Sequence, residues 1–298
     1  MLRFDGRVAL VTGAGRGLGR AYAKYLASRG AQVVVNDLGG SAVGVGADSA
    51  PAQDVVKEIE AEGGHAVANF DNVAEAPEAI VRTAIDEFGR LDIVVNNAGI
   101  NRSENFGKNS LEIIKQHMSV HFFGAAGVTA AAWDHLVASG VGRVINACSP
   151  TLVGFENQTP YVSAKGAIFA FTRTLAMEAL KVGIRVNAIA PTAATRMSDE
   201  MDAPEEFKQF MRDNYPQSLV APVVAYLAHE DCAITGETIL AQGGEVQRLS
   251  LSETTGMLDK DLTPEAVAEN IETILDPGTS TPIGLVGAEG TKDALSMP

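Results

Sequence analysis

Seven short apolar runs punctuate the chain: VALVT at 8–12, QVVVND at 32–37, AVANFD at 66–71, LDIVVNNAG at 91–99, RVINAC at 143–148, IRVNAIAP at 184–191 and ETILAQ at 237–242. They are largely hydrophobic rather than alternating, as strands covered on both faces are. Between them lie segments such as GRAYAKYLASRGA, in which apolar residues return every three to four positions, the period of a helix. Repeated strand–helix units give a parallel sheet wrapped by helices. The expectation is a doubly wound α/β fold with a parallel sheet of about seven strands, and with ligands held beyond the strands' carboxyl ends.

Two stretches break this rhythm. LGGSAVGVGADSAPAQ at 38–53 reads as a Gly/Ala-rich loop after the second strand. From about residue 245 the apolar runs stop. The tail carries one helix, TPEAVAENIETIL, with Thr263 placed to cap it, Pro264 in its first turn and Pro277 beyond its end. We expect one domain over 1–245 that contains the whole site, and an extension over 246–298 that packs on it or on a neighbouring subunit. Hydrophobic residues make up 46% and charged ones 20% of 298 residues, the balance of a globular protein with a sizeable core. No apolar run nears the roughly 20 residues of a membrane-spanning helix. The opening MLRFDGRVALVTG lacks a signal peptide's apolar stretch, so the expected compartment is the cytoplasm. A net charge of −14 argues against a groove for nucleic-acid phosphates. The two cysteines, Cys148 and Cys232, supply neither a disulfide framework nor metal-ligand spacing.

TGAGRGLG at 12–19 falls where the first strand turns into the first helix. Gly13, Gly17 and Gly19 let the backbone approach a pyrophosphate, with Arg16 and Leu18 in the same turn, and the helix N-terminus favours the anion. The spacing alone also fits a tight strand–helix turn with no ligand. Asp37, at the end of the second strand, narrows the choice. A carboxylate there accepts hydrogen bonds from adenosine ribose hydroxyls and repels a 2′-phosphate. A Rossmann-type site follows, for NAD rather than NADP, with Arg16 the group that would favour the phosphate instead.

Tyr161 and Lys165, in YVSAK, are one helical turn apart and share a face. An isolated tyrosine has a pKa of about 10, too high for proton exchange near neutrality, and a neighbouring lysine cation lowers it. By itself a Tyr-x3-Lys pair equally describes a surface tyrosine beside a solvated lysine. Its meaning comes from its place after the nucleotide loop and the fifth strand. His117 and His121 also lie one turn apart, but no third ligand is spaced to complete a metal site and none is expected.

Together and in this order, TGAGRGLG, NNAG at 96–99 and YVSAK resemble the short-chain dehydrogenase/reductase family over about residues 4–245. The resemblance implies Tyr161 as general acid and base. It implies Lys165 as the residue that lowers its pKa and holds the nicotinamide ribose, and Ser149 as the hydroxyl on the substrate oxygen. Cofactor contacts are implied for Asp71 at the adenine, for Asn97 and Gly99 of NNAG, and for Pro191 and Thr195 of PTAATRM. The family's serine usually stands thirteen positions before the tyrosine, where this chain has Cys148, whereas counting forward from Gly142 and Arg143 lands on Ser149. Loops absorb deletions more easily than strands, and a hydroxyl is the better hydrogen-bonding group, so Ser149 takes the role and Cys148 reads as a small buried hydrophobe. His121 stands where the family usually carries an asparagine of a proton relay. An imidazole relays protons and titrates near neutrality, or it simply fills a helix contact.

Within the family, RFDGRVALVTGAGRGLGRAY, VVVNDLGG, VHFFG, AIAPTAATRM and LTPEAVAENI resemble one branch. It is the (R)-3-hydroxyacyl-CoA dehydrogenase portion of multifunctional enzymes type 2, also described as 17β-hydroxysteroid dehydrogenases. NACSPTLVGFENQTPY departs from that branch's active-site loop. The resemblance implies NAD-dependent oxidation of a secondary alcohol to a ketone in lipid metabolism, on a 3-hydroxyacyl-CoA with a fatty or steroid side chain. It implies a homodimer or homotetramer, while the tail and segment 197–216 are candidate substrate cover. A dehydrogenase of free hydroxysteroids or other small alcohols would carry the same motifs, and so would an NAD-binding regulator without turnover.

Overall fold

A computed structural model describes residues 1–108, 110–195 and 203–285. They fall into two units, Met1–Arg248 and the described residues from Leu249 onward.

In the first unit, eight strands form one sheet: β1 (Val8–Thr12), β2 (Gln32–Asn36), β3 (His65–Asn69), β4 (Ile93–Asn96), β5 (Arg143–Ala147), β6 (Arg185–Thr192), β7 (Thr238–Gln242) and β8 (Glu245–Leu249). Their spatial order is 3-2-1-4-5-6-7-8, and the neighbours from β3 across to β7 pair in parallel. The chain winds outward from β1 to β3, returns to lay β4 against β1, and winds the other way. Connections leave β1 and β4 in opposite directions, so a crevice opens beyond their carboxyl ends.

Every residue of β1 is buried, and its side chains divide between two cores. Ala9 and Val11 face α1 (Gly17–Ser28), α2 (Ala50–Ala61) and α8 (Ala221–Ala228), through Tyr22, Leu26, Val55 and Val224. Val8 and Leu10 face α3 (Pro77–Phe88), α5 (Gly124–Ser139) and α6 (Thr159–Leu180), through Ile80, Leu136 and Ala176. Cover on both sides is why these runs do not alternate. Each Val or Leu buried this way stabilises the fold by about 1.5–3 kcal/mol relative to exposure.

Two local features differ from the sequence reading. The seven expected strands are joined by an eighth, β8, whose EVQRL is mostly exposed. A two-residue turn at Gly243 and Gly244, both with positive φ, folds it back beside β7. A polar edge strand carries no apolar run to announce it. The loop expected over 38–53 ends earlier, at residue 49, because α2 begins at Ala50, whose N–H is taken by Asp48 Oδ1 at 3.0 Å. Within segment 197–216, α7 (Glu205–Asn214) is exposed and acidic at its start; residues 197–202 lie outside the described residues.

In the second unit, β9 (Ser252–Glu253) pairs antiparallel with β10 (Thr281–Pro282). The helix expected from residue 263 is two pieces, α9 (Pro264–Glu269) and α10 (Ile271–Ile274). Thr263 caps the first by accepting from Ala266 N. Asn270 interrupts them, its side-chain amide donating to the Ala266 carbonyl at 2.9 Å. No described helix is long and apolar enough to cross a membrane.

Candidate active site

The crevice opens over TGAGRGLG. A Cβ on Gly19 would stand 2.2 Å from the Gly13 carbonyl oxygen, so the turn packs glycine on glycine and α1 starts directly beneath the crevice. Gly17, at φ +56°, opens α1 with only the Thr195 side chain within 4 Å of the space its Cβ would fill. That leaves a backbone cradle at a helix N-terminus. The NNAG segment clamps the turn. Asn97 Nδ2 donates to the carbonyls of Thr12 and Gly13 at 3.0 and 3.1 Å, and Thr12 Oγ1 accepts from the N–H of both Asn97 and Ala98 at 3.0 Å.

Asp37 faces the same space. Its Oδ2 accepts from Gly15 N at 2.7 Å and its Oδ1 from Gly39 N at 2.6 Å, which fixes the carboxylate while each oxygen keeps a lone pair for a further donor. Leu38, Gly40, Ser41 and Gly44 make the loop after β2 a wall of the cleft. Asp71, at the far side, is held by Asn69 Nδ2 at 2.8 Å. A glycine cradle on a helix N-terminus beside an oriented carboxylate fits a dinucleotide.

The sequence reading missed the belt that holds these ends in register. Asn36 pairs with Asn69, and Asn96 with Asn146, as direct neighbours across adjacent strands. Their side chains hydrogen-bond at 2.8 and 2.9 Å, and Asn146 continues to Thr172 on α6 at 3.0 Å. The available signal was an asparagine near the end of each of these four apolar runs.

Tyr161 and Lys165 lie in the first turns of α6, below the end of β5. Lys165 is 4% exposed; its Nζ donates to the Ala147 carbonyl at 2.5 Å and stands 5.5 Å over the centre of the Tyr161 ring. Burial pulls the lysine down to about 8. Burial likewise pushes Tyr161 up to about 12, against a hydrogen bond with Ser149 that lowers it. The expected depression of the tyrosine by its lysine is thus not what the structure shows. The ammonium sits over the ring face and is committed to a carbonyl, and desolvation is the largest influence on the phenol.

Ser149 caps the 3-10 turn Pro150–Val153, accepting from Thr151 N at 3.2 Å. Of the two residues that counting left in competition, Ser149 is the one that lowers the Tyr161 value, whereas Cys148 raises it. Cys148 lines the cleft but is 2% exposed, donates to the Lys165 carbonyl at 3.5 Å, and is pushed up by burial, which keeps it a thiol.

His121 sits on a six-residue π-helical turn, Met118–Phe123, between α4 (Ser110–His117) and α5. Such turns are rare and cluster at functional sites. The ring meets Tyr161 edge-on at 5.4 Å and lies against Gly99, where a Cβ would come within 2.5 Å of Cε1. Nε2 is 2.8 Å from the Ile100 carbonyl, and Nδ1 is buried without a protein partner among the described residues. Burial, with the Lys165 charge second, holds His121 well below the usual histidine value. It does not titrate near neutrality, as an exposed imidazole would; the ring is neutral there.

The cleft has a volume of about 350 Å³. It is lined by every candidate cofactor residue except Gly19, including Arg16, Leu18, Pro191 and Thr195, and by His121. Gly19 lies beneath it, packed on the Gly13 carbonyl, and the buried Ser149 is not among its lining residues. Among the described residues no group of three or more His, Cys, Asp or Glu side chains could hold a metal ion.

Residues 7–206 match the short chain dehydrogenase family. The chain is similar to peroxisomal multifunctional enzyme type 2 of Mus musculus, 45% identical over 280 residues, which is 92% of this chain but 37% of the mouse protein. It is also similar to a short-chain type dehydrogenase/reductase of Mycobacterium tuberculosis, 45% identical over 91% of this chain and 94% of that one. The crystal structure of a short chain dehydrogenase from Mycobacterium avium superposes with a TM-score of 0.79 at 35% identity, covering 96% of this chain and 99% of that chain. The chain belongs to the short-chain dehydrogenases, oxidoreductases of CH–OH groups that use a nicotinamide cofactor.

Proposed function

We propose that this protein is an NAD-dependent dehydrogenase that oxidises the secondary alcohol of a 3-hydroxyacyl-CoA to the 3-oxoacyl-CoA. The observation that carries the chemistry is that Tyr161 and Lys165 line the same cleft as Asp37 and the glycine cradle, with the buried Ser149 two residues beyond Ala147, whose carbonyl holds Lys165. The acyl-CoA reading is supported by the likeness to the mouse multifunctional enzyme, of which this chain spans 37%.

The cradle at Gly17 holds the pyrophosphate, Asp37 the adenosine ribose hydroxyls, Asp71 the adenine, and Lys165 the second ribose. Bound NAD supplies the acceptor for the hydride that leaves the carbinol carbon. Ser149 Oγ donates to the substrate oxygen and orients it toward Tyr161. The Tyr161 oxygen, deprotonated, takes the alcohol's proton as the carbonyl forms; in the reverse direction the phenol returns it. With the phenol raised to about 12, the deprotonated form grows and alcohol oxidation speeds up as pH rises, while the proton donor for ketone reduction is fully populated across neutral pH and that direction is nearly pH-independent there.

The experiment is NADH formation with NAD and NADP supplied separately. Substrates are (3R)- and (3S)-hydroxyacyl-CoAs of several lengths, a steroid-side-chain hydroxyacyl-CoA, and free 17β-hydroxysteroids. NAD-linked turnover of a CoA ester is expected. Turnover of free steroids alone would replace the acyl-CoA assignment, and NAD binding without any turnover would replace the enzymatic one.

A further inference from the structure

Residues 100–104, directly after NNAG, have no regular secondary structure, and Arg102 and Ser103 are exposed. Even so, their backbone N–H groups go to four different places. Ile100 N faces His121 Nε2 at 3.1 Å, a nitrogen that also lies 2.8 Å from the Ile100 carbonyl and serves one of the two according to its tautomer; Asn101 N donates to the Ala42 carbonyl at 2.9 Å, Arg102 N to His117 Nε2 at 3.2 Å, and Glu104 N to the Asn157 carbonyl at 3.0 Å. The segment thus ties the wall loop after β2 to the π-helical turn and to the loop that leads into Tyr161. Ile100 also packs on Gly44 of that wall, where a Cβ would come within 3.0 Å.

His117 is the fully determined member of this set. It is 0% exposed, its Nδ1 donates to the Ile113 carbonyl at 2.8 Å, and Nε2 is therefore the acceptor that Arg102 N requires. It stacks on His121 with ring centres 5.9 Å apart and planes 12° apart. The two rings form one slab under the segment, and only the neutral form of His117 leaves Nε2 a lone pair.

We propose that His117 is a positioning residue: with His121 it staples residues 100–104 in place, and so sets the wall of the cofactor cleft from outside it. The inference rests on the NAD reading for its ligand, but not for its structural test.

The charged and titratable groups around His117 are Arg102 on the stapled segment, Lys165 on α6 and His121 on the π-helical turn. Burial first, then Arg102 and Lys165, hold it below the usual histidine value. Protonation would place an N–H against the Arg102 N–H. The staple is therefore intact above a pH of about 6.5 and is lost as pH falls below the depressed value.

The test is amide hydrogen exchange over 100–104, with NAD affinity by calorimetry, on wild type, His117→Phe and His117→Gln. Phe keeps the stacked ring and removes the acceptor; Gln restores an acceptor without the ring. Phe is expected to raise exchange over 100–104 about tenfold and weaken NAD binding by several fold, the loss of one hydrogen bond. Exchange in β1 should be unchanged, and Gln should recover most of both effects. In wild type the same amides should lose protection on acidification below about 6.5, and the Phe variant should lack that step. Unchanged exchange in the Phe variant, or equal loss in Phe and Gln, overturns the staple. Exchange as expected with unaltered NAD affinity overturns the positioning role. Wild type that binds no NAD at all would instead overturn the functional reading, while exchange still decides the staple.

Discussion

The two ends of the sheet treat buried charge in opposite ways. At the amino ends, Asp92 is 0% exposed and accepts from Val8 N at 2.8 Å and from Arg90 Nε and Nη2 at 2.9 and 2.6 Å. Arg143, 5% exposed, spreads its guanidinium over backbone carbonyls that include those of His229, at 3.1 Å, and Glu230, at 2.7 Å. At the carboxyl ends the polar groups are buried but incompletely matched. Tyr161 and Lys165 are displaced from their ordinary ionisation in opposite directions, and His121 Nδ1 has no partner. One end spends its polar residues on stability; the other keeps unsatisfied groups where a ligand can reach them. That division is what a catalytic cleft on a rigid sheet requires.

The contrast can be broken most severely at Tyr161. A Tyr161→Phe variant should lose roughly three orders of magnitude in kcat while binding NAD as wild type does and unfolding no earlier. Equal turnover in the variant would remove Tyr161 from the chemistry. At the other end, Asp92→Ala should cost about 3 kcal/mol in urea unfolding, since it strands Val8 N–H and a half-exposed Arg90, with kcat unchanged under conditions where the variant is folded.

Lys165 sharpens the comparison. Burial of its ammonium is unfavourable, so Lys165→Met should raise the unfolding free energy by about 2 kcal/mol at neutral pH even as it abolishes turnover. The folded-state value is depressed, so the lysine's penalty is complete below about 8 and disappears as pH rises from there toward the unfolded value. The variant's advantage should follow it, and a pH-independent advantage would show that packing and not charge is responsible. The smallest effect is expected at Asp37. Asp37→Ala should weaken NAD binding about tenfold and narrow the gap between NAD and NADP, read from the two binding constants.

Local pattern was enough for the strands and the turns between them. VALVT, QVVVND and RVINAC were legible because a two-sided strand needs an unbroken apolar run, whatever covers it. The glycine turn and the Tyr161–Lys165 spacing were legible for the same reason: each is a demand made within a few residues. EVQRL was not, because an edge strand is recruited by its neighbour through the Gly243–Gly244 turn and needs no apolar face of its own. Asn270 stopped the expected tail helix through one side-chain hydrogen bond that periodicity does not register.

The sequence by itself determined which apolar segments would be strands, that they would pair in parallel around a switch point, and which residues would crowd the carboxyl ends of β1, β4 and β5. Tertiary structure alone decided the protonation of what gathers there. A one-turn spacing puts a lysine near a tyrosine, but desolvation by residues from distant parts of the chain sets both groups, and here it drives the phenol up and the ammonium down. The π-helical turn that lays His121 on Gly99, and the convergence of four elements on residues 100–104, are likewise properties of packing. They arise from contacts between segments, and no periodicity within one segment encodes them.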